Sequence, residues 1–564
     1  MAKMRGSRFF AEFMHKAGVT HVFFLPAIVL EGLAEMEDLG IRRVMVHGEK
    51  AAAYMADGYA RASGRPGVCL AQQIGASNLA AGLRDPFMAR TPLIAITGGP
   101  GPAGRYRHAY QEVEDFSQFD AVTKFNARVD DVARLPDLLR QAFRAATSGS
   151  PGPVHLQLRG AHGQVIETDA ELELVVEPRF TCTPAFRPEA ELGTIEEAAK
   201  LLVAAERPII VAGGGAATSD ARAELVSLAE TLSIPVATSM NAKGTIVDSH
   251  PLSVGVVGTY SRACANRAVA EADLVFFVGS HTGGQVTANW AIPRPGTRVI
   301  QLDIDPGELG RNYPNAVGLC GDAQVTLRRL NGLLHNQAKP PGAWTRRAQS
   351  IVAEWRAEAE KFRGADAMPL RPERVCREIT DALPPDAVVV SDTGHSGIWT
   401  ATMIDFKHPA QRYVRCAGSM GWGFPGALGV KCALPDRPVL CFTGDGAFYY
   451  HIAELETAAR YGINLVVVVN NNSALNQEIP LIDQAYGGAQ RGKADEMWRF
   501  IDIDFAKVAE AFGCVGMRAE TPGELESALA KAFALNRPVV INAITDTYAF
   551  AARAWLPEGA RRGH

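Results

Sequence analysis

The sequence lacks any pair of cysteines in CxxC spacing, and its nine cysteines are an odd number. Zinc centres and disulfide frameworks normally show grouped, regularly spaced cysteines. The sequence therefore predicts reduced, mostly buried thiols and a cytoplasmic protein. The thirteen histidines are scattered along the chain, which argues against a dedicated histidine metal cluster.

Long apolar runs and an excess of positive charge are also missing. No run of about 18 apolar residues occurs, so no membrane span is predicted. The first segment, MAKMRGSRFFAEFMHKAG, is amphipathic and lacks the apolar centre of a secretory signal. The formal net charge of −4 provides no overall basic field for nucleic acid or a membrane surface.

The sequence does contain three segments in which short apolar runs alternate with helical patterns. This alternation predicts an α/β fold with three Rossmann-like parallel-sheet domains. We place the domains at residues 1–177, 190–335 and 368–550, followed by a C-terminal tail at 551–564 as a candidate lid. Two proline-rich linkers, PRFTCTPAFRP and KPPG, lie between the domains.

The clearest of these apolar runs are predicted strands. They are HVFFLP, GVCLAQQ, PLIAITG and PVHLQL; PIIVAGGG, IPVATS, LVFFVGS and RVIQLDID; AVVVSD, VLCFTGD, NLVVVVN and PVVINAI.

Residues 439–474 combine a strand, a Gly-Asp-Gly turn, an amphipathic helix, a second strand and three asparagines. The glycines permit a tight turn and close approach to a ligand. The N–H groups at the start of the following helix suit a diphosphate. Parallel strands joined by a crossover end at the same edge, so the second strand returns Asn472 to the side of Asp445. Carboxylate, amide and carbonyl oxygens together make the environment that Mg²⁺ prefers.

Gly-Asp-Gly followed 27 residues later by asparagine, with a helix and a VVVV strand between, resembles the diphosphate-binding motif of thiamine-diphosphate enzymes. Applied by position, the resemblance implies that the side chains of Asp445 and Asn472 and the carbonyl of Ala474 bind magnesium. The cofactor contacts that it implies in this motif are Gly444, Asp445, Gly446, Ala447 and Asn472.

The rest of the chain resembles the decarboxylase-like superfamily of these enzymes, which includes acetolactate synthase, pyruvate oxidase, benzaldehyde lyase, oxalyl-CoA decarboxylase and 2-hydroxyacyl-CoA lyase. Members have pyrimidine-binding, central and diphosphate-binding domains in that order. Their activating glutamate stands where a strand enters a helix, and RRVMVHGEKAAAYMADGYAR puts Glu49 there. The resemblance implies that Glu49 is catalytic, through a hydrogen bond to N1′ of the aminopyrimidine. A helix-start glutamate favoured by the helix dipole is the simpler alternative.

Two further loops resemble cofactor contacts. CAGSMGWGF (416–424) resembles the loop that holds the aminopyrimidine, with Met420 beneath the cofactor and the Gly418 carbonyl facing its 4′-amino group. A glycine-rich turn with a core methionine remains the alternative. SDTGHS (391–396) resembles the second diphosphate contact, and His395 could instead be a surface cap residue. The cofactor contacts implied in this second loop are Gly394, His395 and Ser396.

Other stretches resemble parts of the family's active site at a subunit interface. HAYQEVEDFSQFDAVTKF (108–125) resembles a segment that packs against the partner, with Gln111 as a catalytic residue pointing at the substrate. GASN (75–78) matches a turn beside the reacting centre. Because the family takes its glutamate and its metal-binding aspartate from different subunits, the resemblance implies a homodimer or homotetramer.

The sequence motifs define the substrate less clearly than they define the cofactor. In relatives the central domain holds FAD, ADP or coenzyme A, or nothing, and the glycines at 213–215 fit either a nucleotide turn or a plain strand–helix turn. SHTGGQVT (280–287) lacks the arginine of the RFDDR-like stretch in acetolactate synthases, which disfavours both FAD and an acetolactate synthase role. NNNS (470–473) resembles the NNNG of 2-hydroxyacyl-CoA lyases, and Arg553, Arg561 and Arg562 in the tail suit CoA phosphates. A basic tail that is simply solvated is the alternative.

The sequence therefore favours a thiamine-diphosphate- and Mg²⁺-dependent lyase or carboligase that acts on an acyl-CoA substrate. The alternatives are an acetolactate-synthase-like or benzaldehyde-lyase-like enzyme that acts on free 2-oxo acids, 2-hydroxy ketones or diketones, and a non-catalytic thiamine-diphosphate-binding protein. Glu49 argues against the non-catalytic alternative, because cofactor binding alone does not need a proton relay.

Overall fold

The computed structural model describes residues 2–560. Three six-stranded sheets, all parallel, are each flanked by helices. This confirms the predicted α/β class with three parallel-sheet domains. Among the described helices, none is both long and apolar enough to cross a membrane.

The first domain contains eight strands and five helices. They are β1 (Ala2–Arg5), α1 (Gly6–Lys16), β2 (His21–Phe24), α2 (Leu30–Asp38), β3 (Arg42–Met45), α3 (Glu49–Ser63), β4 (Gly67–Ala71), α4 (Ala76–Ala89), β5 (Leu93–Gly99), β6 (Phe125–Val129), α5 (Leu135–Thr147), β7 (Pro153–Arg159) and β8 (Asp169–Leu172). The main sheet has the order β3-β2-β4-β5-β7-β6, and β1 pairs antiparallel with β8.

The central domain contains six strands and five helices. They are α6 (Leu192–Ala204), β9 (Pro208–Ala212), α7 (Gly214–Thr218), α8 (Arg222–Leu232), β10 (Val236–Thr238), β11 (Ser253–Val256), α9 (Ala263–Glu271), β12 (Leu274–Val278), β13 (Arg298–Asp303), β14 (Val317–Cys320) and α10 (Ala323–Leu334). The sheet order is β11-β10-β9-β12-β13-β14. The order of this sheet reverses between β9 and β12, where doubly wound sheets form a ligand crevice.

A long helix and the third domain follow. They are α11 (Ala343–Arg363), α12 (Pro372–Ala382), β15 (Val388–Ser391), α13 (His395–Met403), β16 (Arg412–Arg415), α14 (Gly423–Ala433), β17 (Val439–Gly444), α15 (Asp445–Tyr449), α16 (Glu454–Tyr461), β18 (Val466–Asn471), α17 (Ile479–Ala485), α18 (Phe505–Ala511), β19 (Val515–Ala519), α19 (Pro522–Ala534) and β20 (Val539–Ile544). The order β16-β15-β17-β18-β20-β19 repeats the topology of the first main sheet, strand for strand.

Helix α11 and a partly buried ion cluster join the central and third domains. Trp344 at the start of α11 packs in the central core, and its indole N–H donates to the Pro208 carbonyl (2.8 Å). The carboxylate of Asp405 in the third domain lies 2.8 to 3.2 Å from three guanidinium groups, one in the central domain and two on α11. The three arginines are Arg262, Arg356 and Arg363.

The first and third domains of one chain pack through α3 and α14. A Cβ on Gly58 would lie 2.0 Å from the Gly426 carbonyl oxygen, and a Cβ on Gly429 would lie 1.9 Å from the Met55 carbonyl oxygen. The two helices therefore approach backbone to backbone, which only glycine permits. This contact fixes the first domain against the helix that follows the predicted pyrimidine loop.

Candidate active site

The three predicted metal ligands meet at the carboxyl ends of β17 and β18. Asp445, the first residue of α15, accepts hydrogen bonds from the N–H groups of Asn472 and Ala474 at 3.2 Å each. Its other oxygen accepts from the Gly446 N–H (2.6 Å), and the Asn472 side-chain oxygen accepts from the Ala474 N–H (3.1 Å). The carboxylate and the amide oxygen thus converge on one short turn.

The donor atoms at this turn fit a hard cation. Asp445 is only 3% exposed, and burial raises its pKa to about 6, although backbone N–H groups act in the opposite direction. Within residues 2–560, no three His, Cys, Asp or Glu side chains form a metal-binding group. A metal here would rely on one carboxylate, one amide oxygen, a backbone carbonyl and ligand oxygens, a set that suits Mg²⁺.

The backbone around Asn472 is held in an unusual conformation. Ser473 has φ 53°, a left-handed value that favours glycine, and its N–H donates to the Asn471 side chain (3.2 Å). The Asn472 carbonyl accepts from the Thr547 hydroxyl (2.8 Å). These bonds turn the chain sharply after β18 and bring Ala474 back toward Asp445.

The single amphipathic helix predicted after the Gly-Asp-Gly turn is wrong. Two short helices, α15 and α16, are separated by residues 450–453. The break coincides with His451, whose ring packs edge-on against Tyr54 of α3 at 5.6 Å. Tertiary contacts of this kind can override the helical preference of a segment.

The second predicted diphosphate loop lies against the first. A Cβ on Gly444 would lie 3.4 Å from the Ser396 hydroxyl, and Gly394 has φ 64°, which glycine adopts without strain. Burial lowers the pKa of His395, whose Nδ1 hydrogen-bonds to the Asn476 side chain (2.8 Å). The two loops therefore form one glycine-lined edge above β15 and β17.

This edge also has an unpartnered polar atom. The Gln477 side-chain oxygen is buried without a hydrogen-bond partner among the described residues, and it lies 2.9 Å from where a Cβ on Gly394 would stand. A buried polar atom without a partner is costly. This oxygen needs a hydrogen-bond donor, so it does not itself favour a diphosphate. The fit to a diphosphate rests on the glycine turns at 394 and 444 and on the N–H groups at the start of α13.

The predicted pyrimidine loop follows β16 and is anchored by buried carboxylates that sequence analysis missed. Asp85 of α4 accepts hydrogen bonds from three successive N–H groups of the loop. Asp392 accepts from the N–H groups of Gly421 (3.1 Å) and Gly423 (2.6 Å), and burial raises its pKa to about 6. Gly418 is exposed and Met420 is half-buried, so both remain accessible to a ligand.

Glu49 is the first residue of α3 and lies beside the predicted GASN turn. Its carboxylate is buried and accepts from the Asn78 side chain (3.2 Å). A Cβ on Gly75 would lie 2.3 Å from the same carboxylate, so a larger residue here would displace the Glu49 carboxylate. The structure thus brings Glu49 together with the turn that the sequence placed beside the reacting centre.

Glu49 lies in the first domain, whereas Asp445, the predicted metal ligand, lies in the third. No hydrogen bond among residues 2–560 links Glu49 to Asp445 or to the pyrimidine loop. Asn78, the partner of Glu49, and Asp85, the anchor of the loop, are seven residues apart on α4, about 10 Å along the axis. Gln111 lies in the loop between β5 and β6 with φ 64°, and its side chain makes no hydrogen bond among the described residues.

The glycines at 213–215 are explained by packing. A Cβ on Gly213 would lie 2.1 Å from the Gly279 carbonyl oxygen, and a Cβ on Gly215 would lie 2.8 Å from the Gly279 Cα. The loops after β9 and β12 therefore touch through their backbones. This contact accounts for the glycines without a nucleotide, as the strand–helix-turn alternative expects.

The C-terminal tail is attached to the central domain. Trp555 and Leu556 pack against the central core, and the Trp555 carbonyl accepts from the Asn266 side chain (3.0 Å). Arg553 is exposed. The other two tail arginines proposed as CoA contacts, at 561 and 562, lie outside the described residues.

Comparison with known proteins identifies three family profiles in the order of the three sheets. Residues 4–119 match the N-terminal TPP-binding domain of thiamine pyrophosphate enzymes. Residues 195–330 match the central domain, and residues 392–543 match the C-terminal TPP-binding domain of the same enzymes. Thiamine pyrophosphate is another name for thiamine diphosphate.

The chain is also similar over most of its length to proteins named acetolactate synthase. It is 31% identical to a probable acetolactate synthase large subunit from Methanocaldococcus jannaschii, over 99% of this chain and 94% of that protein. It is 30% identical to the acetolactate synthase large subunit of Haemophilus influenzae (96% and 94%). It is 31% identical to the large subunit of acetolactate synthase isozyme 3 from Escherichia coli (97% and 96%).

Proposed function

Because this chain belongs to the family of thiamine pyrophosphate enzymes, and is an enzyme of carbon–carbon bond chemistry that depends on this cofactor, we propose that its substrates are free 2-oxo acids. The observation that carries the proposal is the 31% identity to a probable acetolactate synthase over 99% of the chain. The comparisons favour this alternative over the acyl-CoA substrate that the sequence analysis preferred.

The proposed net reaction joins two 2-oxo acids. With pyruvate, the bond between C1 and C2 of the first molecule breaks and C1 leaves as carbon dioxide. The former C2 then bonds to the carbonyl carbon of the second molecule, whose oxygen takes up a proton. Two pyruvate anions and one proton thus give one acetolactate anion and carbon dioxide. When bound, thiamine diphosphate supplies the nucleophilic carbon and the electron sink that this reaction needs.

The chain's own residues position the cofactor and move a proton. Asp445, Asn472 and the Ala474 carbonyl would hold Mg²⁺ against the diphosphate, at the turn where they converge. Glu49, buried and oriented by Asn78, would exchange a proton with N1′ of the aminopyrimidine. The Gly418 carbonyl would accept from the 4′-amino group.

A second copy of the chain is part of the proposal. Enzymes of the superfamily that the chain resembles take the activating glutamate and the metal-binding aspartate of one site from different subunits, so Glu49 would serve the cofactor held by the other copy. The first domain presents large apolar side chains at high exposure in the turn before α4, near the end of α4 and in the loop between β5 and β6. They are Ile74 (48%), Met88 (53%), Tyr106 (79%), Tyr110 (88%) and Val113 (45%). Exposed apolar side chains of this size are typical of protein interfaces, and a homodimer is the simplest closed assembly.

The acyl-CoA alternative has less support. Of the three tail arginines that suggested it, the one described, Arg553, is exposed, and the tail beside it is held by Trp555 against the central core. The glycines at 213–215 are occupied in packing against Gly279. Neither feature requires a coenzyme A ligand.

Turnover with a panel of substrates tests the proposal. The full-length protein, with thiamine diphosphate and Mg²⁺, is incubated with pyruvate or with a 2-hydroxyacyl-CoA, and carbon dioxide and products are measured by mass spectrometry. We expect a five-carbon acid from pyruvate, together with one carbon dioxide per product, and no cleavage of the thioester substrate. Cleavage of the 2-hydroxyacyl-CoA without pyruvate turnover would contradict the proposal. The Asp445→Ala variant is the control for cofactor dependence.

A further inference from the structure

Asp85 is a buried carboxylate in the first domain that contacts the backbone of the third. It lies on α4, is 0% exposed and is far in sequence from the loop between β16 and α14. Three successive N–H groups of that loop donate to it: those of Ala417 (2.8 Å), Gly418 (3.1 Å) and Ser419 (3.0 Å). A carboxylate that accepts several N–H groups makes charge-assisted bonds, which are about twice as strong as neutral ones.

Arg61 of α3 fixes Asp85 from the other side. Its guanidinium lies 3.1 Å from Asp85 and 2.6 Å from Asp57, and it donates to the Arg415 carbonyl at 2.5 Å. Asp57 in turn accepts from the indole N–H of Trp422 (2.8 Å). The network therefore holds the loop in its middle and at both of its ends.

The direction of these bonds determines where the loop's carbonyls point. In a trans peptide unit the C=O and the next N–H point in opposite directions. Since the Ser419 N–H faces Asp85, the Gly418 carbonyl of the same peptide unit faces away from Asp85. This is the carbonyl that the aminopyrimidine would meet, and a Cβ on Gly418 would find only the Met88 terminal methyl within 4.0 Å.

We propose that Asp85, held by Arg61, is a positioning residue that orients the Gly418 carbonyl toward the aminopyrimidine. The inference rests on the proposed role of the 416–424 loop in holding that ring. The network would thus place the pyrimidine-binding part of a cofactor site under the control of the first domain of the same chain. Asp85 itself does not touch the cofactor.

The positioning role of Asp85 is tested by comparing the binding of two probes, thiamine diphosphate and inorganic diphosphate. After removal of bound cofactor, the affinities of the full-length protein for thiamine diphosphate and for inorganic diphosphate are measured by calorimetry in the presence of Mg²⁺. Asparagine at 85 keeps the size of the side chain but turns an NH₂ group against the loop's N–H groups. We expect Asp85→Asn to weaken thiamine diphosphate binding at least about tenfold and to change diphosphate binding less than about twofold.

A matched control separates positioning from loss of stability. Asp322 of the central domain is also buried, lies 3.1 Å from Arg187 and accepts from two backbone N–H groups, yet it does not contact the loop. Asp322→Asn should leave the ratio of the two affinities unchanged. If Asp85→Asn does not fold, Asp85→Glu, which keeps the charge but displaces the carboxylate by one bond, is expected to change the ratio in the same direction.

Met420→Ala distinguishes a failure of this inference from a failure of the loop's proposed role. If Met420→Ala weakens thiamine diphosphate selectively and the Asp85 variants do not, the positioning role of Asp85 is wrong and the loop assignment stands. If neither change is selective, the loop does not hold the aminopyrimidine and both assignments are wrong. An equal loss of both probes in the Asp85 variants would also overturn the inference, because it would indicate general disruption.

Discussion

Replacement of Glu49 by glutamine removes a proton-exchanging group while preserving its packing. The side chain is 7% exposed and has the Gly75 backbone on one side and the Asn78 side chain on the other. Glutamine is nearly isosteric, and its carbonyl oxygen can still accept from Asn78. We therefore expect the free energy of unfolding to change by about 1 kcal/mol or less. The metal end of the site, in another domain, should be unaffected.

The expected effect on proton transfer is much larger. An amide cannot exchange a proton with N1′. The 4′-nitrogen of the bound cofactor, which would remove the C2 proton, is then rarely in its basic form. A general acid–base group contributes roughly 10²–10⁴-fold to such a step. That factor corresponds to about 3–5 kcal/mol in the barrier. Thiamine diphosphate affinity should change far less than the exchange rate.

The measurement is proton–deuterium exchange at C2 of the bound cofactor, stopped by acid and read by NMR. Glu454→Gln is the matched control. Glu454 is 1% exposed and accepts from the His47 N–H (2.9 Å), two residues before Glu49, but has no proposed contact with the aminopyrimidine. An exchange rate in Glu49→Gln within about twofold of wild type would refute the proton role of Glu49.

Three other predictions follow from the described contacts. Asp445→Ala should weaken Mg²⁺-dependent binding of thiamine diphosphate by at least about 100-fold in calorimetry, and unchanged affinity would remove this carboxylate from the site. Trp555→Ala should lower the free energy of unfolding by about 1–2 kcal/mol in urea titration, roughly half the cost of a fully buried aromatic, and no loss would mean that the tail does not pack. Burial alone would raise the pKa of Asp405, but its three arginines outweigh this and hold that pKa below its usual range. Asp405→Asn should therefore cost about 3–5 kcal/mol at pH 7, with the difference shrinking as the pH falls below about 4, and a constant difference would contradict this.

Much of the fold was predictable because parallel strands are buried on both faces and appear as continuous apolar runs. Runs such as VLCFTG and LVVVVN became the central strands β17 and β18. Edge strands were harder to find. The residues of β3 and β19 are mostly half-exposed or exposed, so their sequences carry little apolar signal. Helix α11 was missed because its charged residues dominate its pattern.

The residues of the candidate site also differ in how readily the sequence predicts them. Asp445 and Asn472 were predictable because both follow strands that are adjacent in the sheet, where local sequence order fixes their proximity. Asp85 and Arg61 were not, since their partners lie 332 and 354 residues away along the chain. Only the packing of α3 and α4 against the third domain brings them to the loop.

Under the proposed function, Glu49 of one chain and Asp445 of another act on the same cofactor. The most direct test mixes two variants, Glu49→Gln and Asp445→Ala, unfolds and refolds them together, and measures pyruvate turnover. In a random mixture, half of the dimers are hybrids with one intact site of two, so we predict about a quarter of wild-type activity from two variants that are each nearly inactive. Recovery of no activity above that of the separate variants, while refolded wild type regains its turnover, would contradict the claim.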